Sequence, residues 1–103
     1  MQVLRQNPDL SAFFCVNDQM ALGVAEAIWS MSLRRRIIVV GVDLIDEAES
    51  AILADEIDAS VAFSVSNVSR VLLDAAIKRI KGQSIPDCFS VASYLVDRQM
   101  LTQ

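Results

Sequence analysis

The sequence predicts an α/β fold in which a mostly parallel sheet is flanked by helices. Short β-branched apolar runs alternate with segments of helical periodicity along the 103 residues. This alternation at βαβ spacing implies parallel strands joined by right-handed crossovers. The first of these runs, at residues 12–16, is apolar throughout, as in a strand covered on both faces. Three or four strands are predicted, fewer than the five or six of a doubly wound sheet. We therefore expect the sheet to be incomplete.

The first predicted strand leads directly into the first long predicted helix. Residues 12–16 (AFFCV) form a continuous apolar run that predicts a strand. Residues 19–31 carry apolar side chains at helical spacing. Asp18 or a neighbour is expected to supply the N-cap, and a cap is the simplest role for Asp18.

The second strand and helix repeat the pattern. Residues 37–42 (IIVVGV) predict a strand that ends at a carboxylate, Asp43. Residues 46–55 predict a helix, in which Asp46 and Glu49 have the spacing of a capping box.

The third predicted strand leads into the predicted helix with the clearest apolar periodicity. Residues 59–63 predict a short strand, and residues 65–81 a helix with Gly82 as its C-cap. Pro86 prevents the helix from continuing, and residues 89–96 predict a last extended segment.

Composition excludes several classes of function. The net charge of −4 argues against a nucleic-acid surface, because phosphate binding needs a cationic face. The arginines at 34–36 are interpreted as a solvated turn after a helix. The chain has no histidine, no GxSxG and no glycine-rich phosphate loop. We therefore predict neither catalysis, nor a cofactor, nor a metal site. Cys15 and Cys88 lie in apolar contexts and are both predicted to be buried.

Three residues at predicted strand ends are the candidate site: Asn17, Asp43 and Phe63. In open parallel sheets, ligands bind beyond the carboxyl ends of the strands. An amide and a carboxylate together offer the donors and acceptors that vicinal hydroxyls of a sugar require. An aromatic ring could cover the apolar face of the same ligand.

Each candidate also has a structural interpretation. Asn17 is equally compatible with ligand contact and with tying two loops together. For Asp43 the functional interpretation is favoured, because burying a carboxylate without a partner is costly. Phe63 is more often a core residue than a ligand contact.

Several segments together resemble one known family. Residues 7–23 (NPDLSAFFCVNDQMALG) are similar to a segment of type I periplasmic sugar-binding proteins, the ribose and galactose receptors of bacterial ABC transporters. Later segments agree in order and spacing, namely VVGVD at 39–43, ASVA at 59–62, GQSIP at 82–86 and YLV at 94–96.

The resemblance implies a two-lobed α/β fold that holds a sugar between its lobes, with this chain as an incomplete C-terminal lobe. Residues 8–63 would form the βα units of that lobe, 64–82 a helix that crosses to the other lobe, and 83–103 the return segment. Asn17 and Asp43 match positions that hydrogen-bond sugar hydroxyls. Phe63 departs from the family, which places glutamine at this position. Val42 also replaces the phenylalanine that usually precedes the aspartate. A related polyol-like ligand is therefore an alternative to a sugar.

The resemblance predicts a sugar-binding, extracytoplasmic receptor whose full-length form works with an ABC transporter permease. A Lac-repressor-like effector domain, which would be cytoplasmic, is the alternative, although the chain lacks the TTVRQP-type segment of those regulators. A receiver-like phosphoacceptor ranks third, because the acidic pair and the lysine that it needs are missing. The chain alone is expected to bind sugar weakly or not at all. The apolar face formed by Val68, Leu72 and Ala76 predicts a homo-oligomer.

Overall fold

The computed structural model describes residues 2–33 and 35–103. The chain divides into two units, described separately below: unit 1 comprises Met1–Ala62 with Leu95–Gln103, and unit 2 comprises Phe63–Tyr94. The elements are α1 (Gln2–Gln6), β1 (Ala12–Phe14), α2 (Asp18–Ser30), β2 (Ile38–Val42), α3 (Asp46–Leu53), β3 (Ala59–Phe63), α4 (Val65–Ile80), β4 (Ser93–Asp97) and α5 (Arg98–Leu101).

The strands form one sheet in the order β1-β2-β3-β4. β1 pairs in parallel with β2, with Phe13 opposite Val39. β2 pairs in parallel with β3, with Gly41 opposite Ser60 and Val42 opposite Val61. The predicted α/β class with a mostly parallel sheet is therefore confirmed.

The core of unit 1 lies between one face of the sheet and helices α2 and α3. Its buried members are Cys15, Ala21, Val39, Ala48, Ala51, Ile52 and Ile57. Phe14 on β1 is 70% exposed and Ile38 on β2 is 47% exposed. The prediction that the first strand is covered on both faces is therefore wrong for unit 1, because α2 and α3 pack against the same face.

Local signals predicted most element types but not all of their ends. α3 begins at Asp46 as predicted, but its N-cap is Ile45, which makes no side-chain capping hydrogen bond, so the predicted capping box is absent. The helix also ends at Leu53, two residues early. α1 and α5 were not predicted. α5 begins after Asp97, whose carboxylate accepts a 3.0 Å hydrogen bond from the Met100 amide.

The caps of α4 fit its sequence. Ser64 is the N-cap and accepts a hydrogen bond from the Asn67 amide at 3.2 Å. Gly82 follows the helix with φ of +73°, a conformation that glycine adopts without penalty. This confirms the predicted glycine cap. In α4, whose residues are all described, none is buried, and Leu72 is 63% exposed.

The two cysteines differ in environment. Cys15 is buried, and burial raises the pKa of its thiol. Cys88 is exposed, so the prediction of two buried thiols is wrong for this residue. It lies between α4 and β4, among residues that are all exposed or half-buried, so no core surrounds its side chain.

Two exposed side chains of the arginine turn contact the segments that precede β1 and β3. Arg35 donates to the Leu10 carbonyl, and Arg36 pairs with Asp58. The hydrogen bond and charge of Asp58 raise the pKa of Arg36. Arg34 lies outside the described residues. Over the ranges 2–33 and 35–103, no helix has both the length and the apolarity needed to cross a membrane.

Candidate functional site

The carboxyl ends of β1 and β2 lie side by side in unit 1. The amide of Cys15, just after β1, donates to the Val40 carbonyl at 2.8 Å. The amide of Asp43, just after β2, donates to the Val61 carbonyl of β3 at 2.9 Å. The residues that follow β1 and β2 therefore share one edge of the sheet, where parallel α/β proteins place their ligands.

Asn17 is the N-cap of α2. It has extended backbone geometry, and its side-chain oxygen accepts a 2.9 Å hydrogen bond from the Met20 amide. The residue is half-buried. Because the cap uses the oxygen, the NH₂ group is the part of the side chain that can donate to a ligand.

Asp18 is the first residue of α2 and is fully buried, at 0% exposure. One carboxylate oxygen accepts a 2.6 Å hydrogen bond from the Ser60 hydroxyl, and the other accepts from the Ile45 amide at 2.9 Å. The prediction that Asp18 is the cap is therefore wrong. Asp18, not Asn17, ties two segments together, because position 18 faces the sheet. Hydrogen bonds to both oxygens offset the cost of burying the carboxylate.

Ser60 is part of this cluster and was missed from the sequence. Its hydroxyl donates to Asp18 and accepts a 3.1 Å hydrogen bond from the Leu44 amide. The available signal was a hydroxyl in the middle of an apolar strand, which needs a partner when it is buried. Gly41 lies opposite Ser60 and leaves the space that the Asp18 side chain occupies.

Asp43 directly follows β2, and its side chain is exposed. The argument that its carboxylate is buried is therefore wrong. Its backbone is unusual instead: Asp43 has φ of +108° and Leu44 has φ of +56°. Such left-handed conformations cost about 1–3 kcal/mol each in non-glycine residues and cluster at binding sites. Among the described residues, the Asp43 carboxylate forms no salt bridge.

Phe63 is the last residue of β3 and the first residue of unit 2, and it is half-buried. The structure brings together the segments that carry Asn17 and Asp43, both in unit 1. Those two residues offer a donor and an acceptor of the type that binds hydroxyl groups. In the part of the chain that the structure describes, no group of three or more Cys, Asp or Glu residues could hold a metal ion.

Comparison with known proteins identifies the family. Residues 1–84 match the periplasmic binding protein domain. The D-allose-binding periplasmic protein of Escherichia coli (strain K12) is 34% identical over 102 residues, which are 98% of this chain and 33% of that protein. This chain thus spans about a third of the length of that relative.

Solved structures give the same result. The Caulobacter myo-inositol binding protein, bound to myo-inositol, is 30% identical with a TM-score of 0.78, over 98% of this chain and 35% of that one. An ABC transporter periplasmic solute binding protein from Actinobacillus succinogenes 130z, with bound D-allose, is 25% identical with a TM-score of 0.78, over the same shares of both chains. The chain belongs to the periplasmic binding protein domain family.

Proposed function

We propose that this chain provides one wall of the sugar-binding site of a solute receptor for ABC-type uptake. The observation that carries the proposal is the shared edge of β1 and β2, where the half-buried Asn17 and the exposed Asp43 lie in the segments that follow neighbouring strands. The names of the relatives support a sugar or polyol ligand, since they refer to D-allose and myo-inositol.

The chemistry of the two side chains suits vicinal hydroxyls. The NH₂ group of Asn17 donates to one hydroxyl oxygen, while its oxygen stays on the Met20 amide. The Asp43 carboxylate accepts hydrogen bonds from two hydroxyls, and such charge-assisted bonds are the stronger kind. Phe63 is a further proposed ligand contact on the ground of its sequence position at the carboxyl end of the third strand.

We propose that the parent protein has a second lobe, because the chain spans a third of its relative's length. In that arrangement residues 8–63 form the βα units of one lobe, 64–82 cross to the other lobe, and 83–103 return. Affinity then depends on closing the second lobe over the ligand and excluding water from its hydrogen bonds. This chain alone is therefore expected to bind sugars weakly, with a dissociation constant of about 1 mM, which corresponds to a binding free energy of roughly −4 kcal/mol.

A two-dimensional amide NMR titration with D-allose, D-ribose and myo-inositol tests the proposal. We expect at least one of them to shift the resonances of Asn17 and of residues 43–45. Asp43→Asn should weaken binding by about tenfold or more, because a hydrogen bond to a charged group contributes about 1.5–3 kcal/mol. Asp9→Asn, an exposed carboxylate before β1, is the matched control and should leave the affinity unchanged.

Two outcomes of the titration would contradict the proposal. One is the absence of shifts near Asn17 and Asp43 with each of the three compounds at 100 mM, which is about a hundredfold above the expected dissociation constant. The other is equal binding by the Asp43→Asn variant. Micromolar affinity of the chain alone would refute the dependence on a second lobe.

The same proposal gives the full-length protein a cellular location and a transporter partner. The full-length receptor would act outside the cytoplasm and would deliver its ligand to an ABC transporter permease. The name of the E. coli relative as a periplasmic protein supports this location.

We also propose that the chain by itself forms homodimers through the exposed apolar side of α4. Val68, Leu72 and Ala76 lie along one side of this helix, on which no residue is buried. Solution scattering should give a dimer mass, and Leu72→Glu should restore the monomer mass. Arg70→Glu, two residues earlier and on a different side of the helix, is the control. A monomer mass for the unmodified chain would refute this proposal.

A further inference from the structure

We propose that Asp18 and Ser60 are positioning residues that hold the turn at residues 43–45 and thereby set the location of the Asp43 carboxylate. This inference rests on the proposed function, in which Asp43 accepts hydrogen bonds from the ligand. Asp18 itself is fully buried and does not contact the ligand, so its effect on binding is exerted through the position of the turn.

The first support is the hydrogen bonding of the turn. Three successive amides each donate to a different acceptor: Asp43 to the Val61 carbonyl at 2.9 Å, Leu44 to the Ser60 hydroxyl at 3.1 Å, and Ile45 to the Asp18 carboxylate at 2.9 Å. The acceptors come from β3 and from the start of α2. Hydrogen bonds to β3 and to the start of α2 therefore hold the turn after β2 in place.

The second support is the backbone conformation that these bonds hold. Asp43 and Leu44 have φ of +108° and +56°, although neither is glycine. Conformations of this kind persist only where surrounding contacts determine them. Without the Ser60 and Asp18 acceptors, the amides of Leu44 and Ile45 would lose the partners that offset this strain.

The third support is the close fit of the buried pair. Asp18 and Ser60 are both 0% exposed, and each carboxylate oxygen of Asp18 has a partner. In the described ranges, no buried side-chain nitrogen or oxygen lacks a hydrogen bond. A fully satisfied buried network favours a single arrangement, which is what a binding residue on a turn requires.

Asp18→Asn and Ser60→Ala remove different parts of the network. An asparagine at position 18 is nearly the same size, and its oxygen can still accept from the Ile45 amide, but its nitrogen cannot accept from the Ser60 hydroxyl. Alanine at position 60 removes the acceptor of the Leu44 amide and the hydrogen bond donor to Asp18. Ser50→Ala is the matched control, because the Ser50 hydroxyl is exposed and donates only to the Asp46 carbonyl of its own helix.

The first measurement is amide hydrogen exchange in the sugar-free chain. Ser60→Ala should accelerate exchange at Leu44 by at least about tenfold, and Asp18→Asn should accelerate it less, since local opening sets the exchange rate. Ser50→Ala should leave the rates at residues 44 and 45 unchanged. Wild-type rates at Leu44 in the Ser60→Ala variant would overturn the inference.

The second measurement separates positioning from a purely structural role. D-allose, D-ribose and myo-inositol are titrated into the wild type, Ser60→Ala, Asp43→Asn and the double variant, with the compound that binds most tightly used for comparison. Ser60→Ala should weaken binding about three- to tenfold, and this loss should disappear when Asp43 is already asparagine, because coupled residues are not additive. A loss that persists in the Asp43→Asn background would refute positioning through Asp43.

The same titration distinguishes the two proposals. If the wild type binds sugar and Ser60→Ala binds it equally well, only the positioning role fails. If the wild type binds none of the three compounds, the proposed function fails, and the positioning role fails with it. Asp18→Asn repeats the affinity comparison independently if Ser60→Ala does not fold.

Discussion

Replacing Gly41 with alanine is expected to lower the free energy of unfolding by about 3 kcal/mol, because overpacking a closed core forces the backbone to move. A Cβ at this position would collide with the Asp18 carboxylate and would come within 3.2 Å of the Asp18 Cα and of the Ala21 Cβ. Relief would require α2 to move away from β2, which would also break the hydrogen bonds of Asp18.

Urea unfolding measures this effect, and Gly23→Ala is the matched control. Gly23 lies inside α2, and nothing lies within 4 Å of the Cβ that alanine would add. Alanine there should raise the free energy of unfolding by about 0.5–1 kcal/mol, because glycine disfavours helices. The same substitution at two glycines should therefore have opposite signs. Equal stability of the Gly41→Ala variant and the wild type would show that α2 does not pack closely on β2.

Replacing Ile52 with alanine is expected to lower the free energy of unfolding by about 3–4 kcal/mol, through lost burial and the cavity that remains. Ile52 is 0% exposed and belongs to the core cluster between the sheet and the helices. A loss of this size is a large share of the roughly 5–15 kcal/mol that stabilises a typical domain.

Leu53→Ala is the control for this prediction, because Leu53 is the next residue of α3 and is 41% exposed. Its loss should stay below about 1 kcal/mol, as for most partly exposed positions. The midpoint of urea unfolding should fall while the slope stays the same, since the change affects stability and not the surface exposed on unfolding. Equal losses for the two variants would mean that Ile52 is not in the core.

Much of the fold could be predicted from local signals. The third strand was predicted at residues 59–63 and is observed at Ala59–Phe63. Gly82 ends α4 as its sequence indicates, because a left-handed residue after a helix favours glycine. β-branched runs and 3.6-residue periodicity act over a few neighbours, so they could be recognised without knowledge of the packing.

The candidate site was predictable only in part. The strand ends that carry Asn17 and Asp43 were located correctly on one edge, because parallel strands place their carboxyl ends together. The roles of Asn17 and Asp18 were not predictable, because both residue types are good helix caps. Which of them caps and which is buried depends on the rotation of α2 against the sheet.

The sequence by itself determined the types of the main elements, the parallel pairing and the residues at the strand ends, because these follow from periodicity and from the chemistry of neighbouring residues. Only the tertiary structure decided that Asp18 is buried, that Ser60 is its partner, and that Asp43 and Leu44 adopt left-handed conformations. The physical reason is distance along the chain. The hydrogen bond between Asp18 and Ser60 joins residues 42 positions apart, and no local preference specifies such a contact.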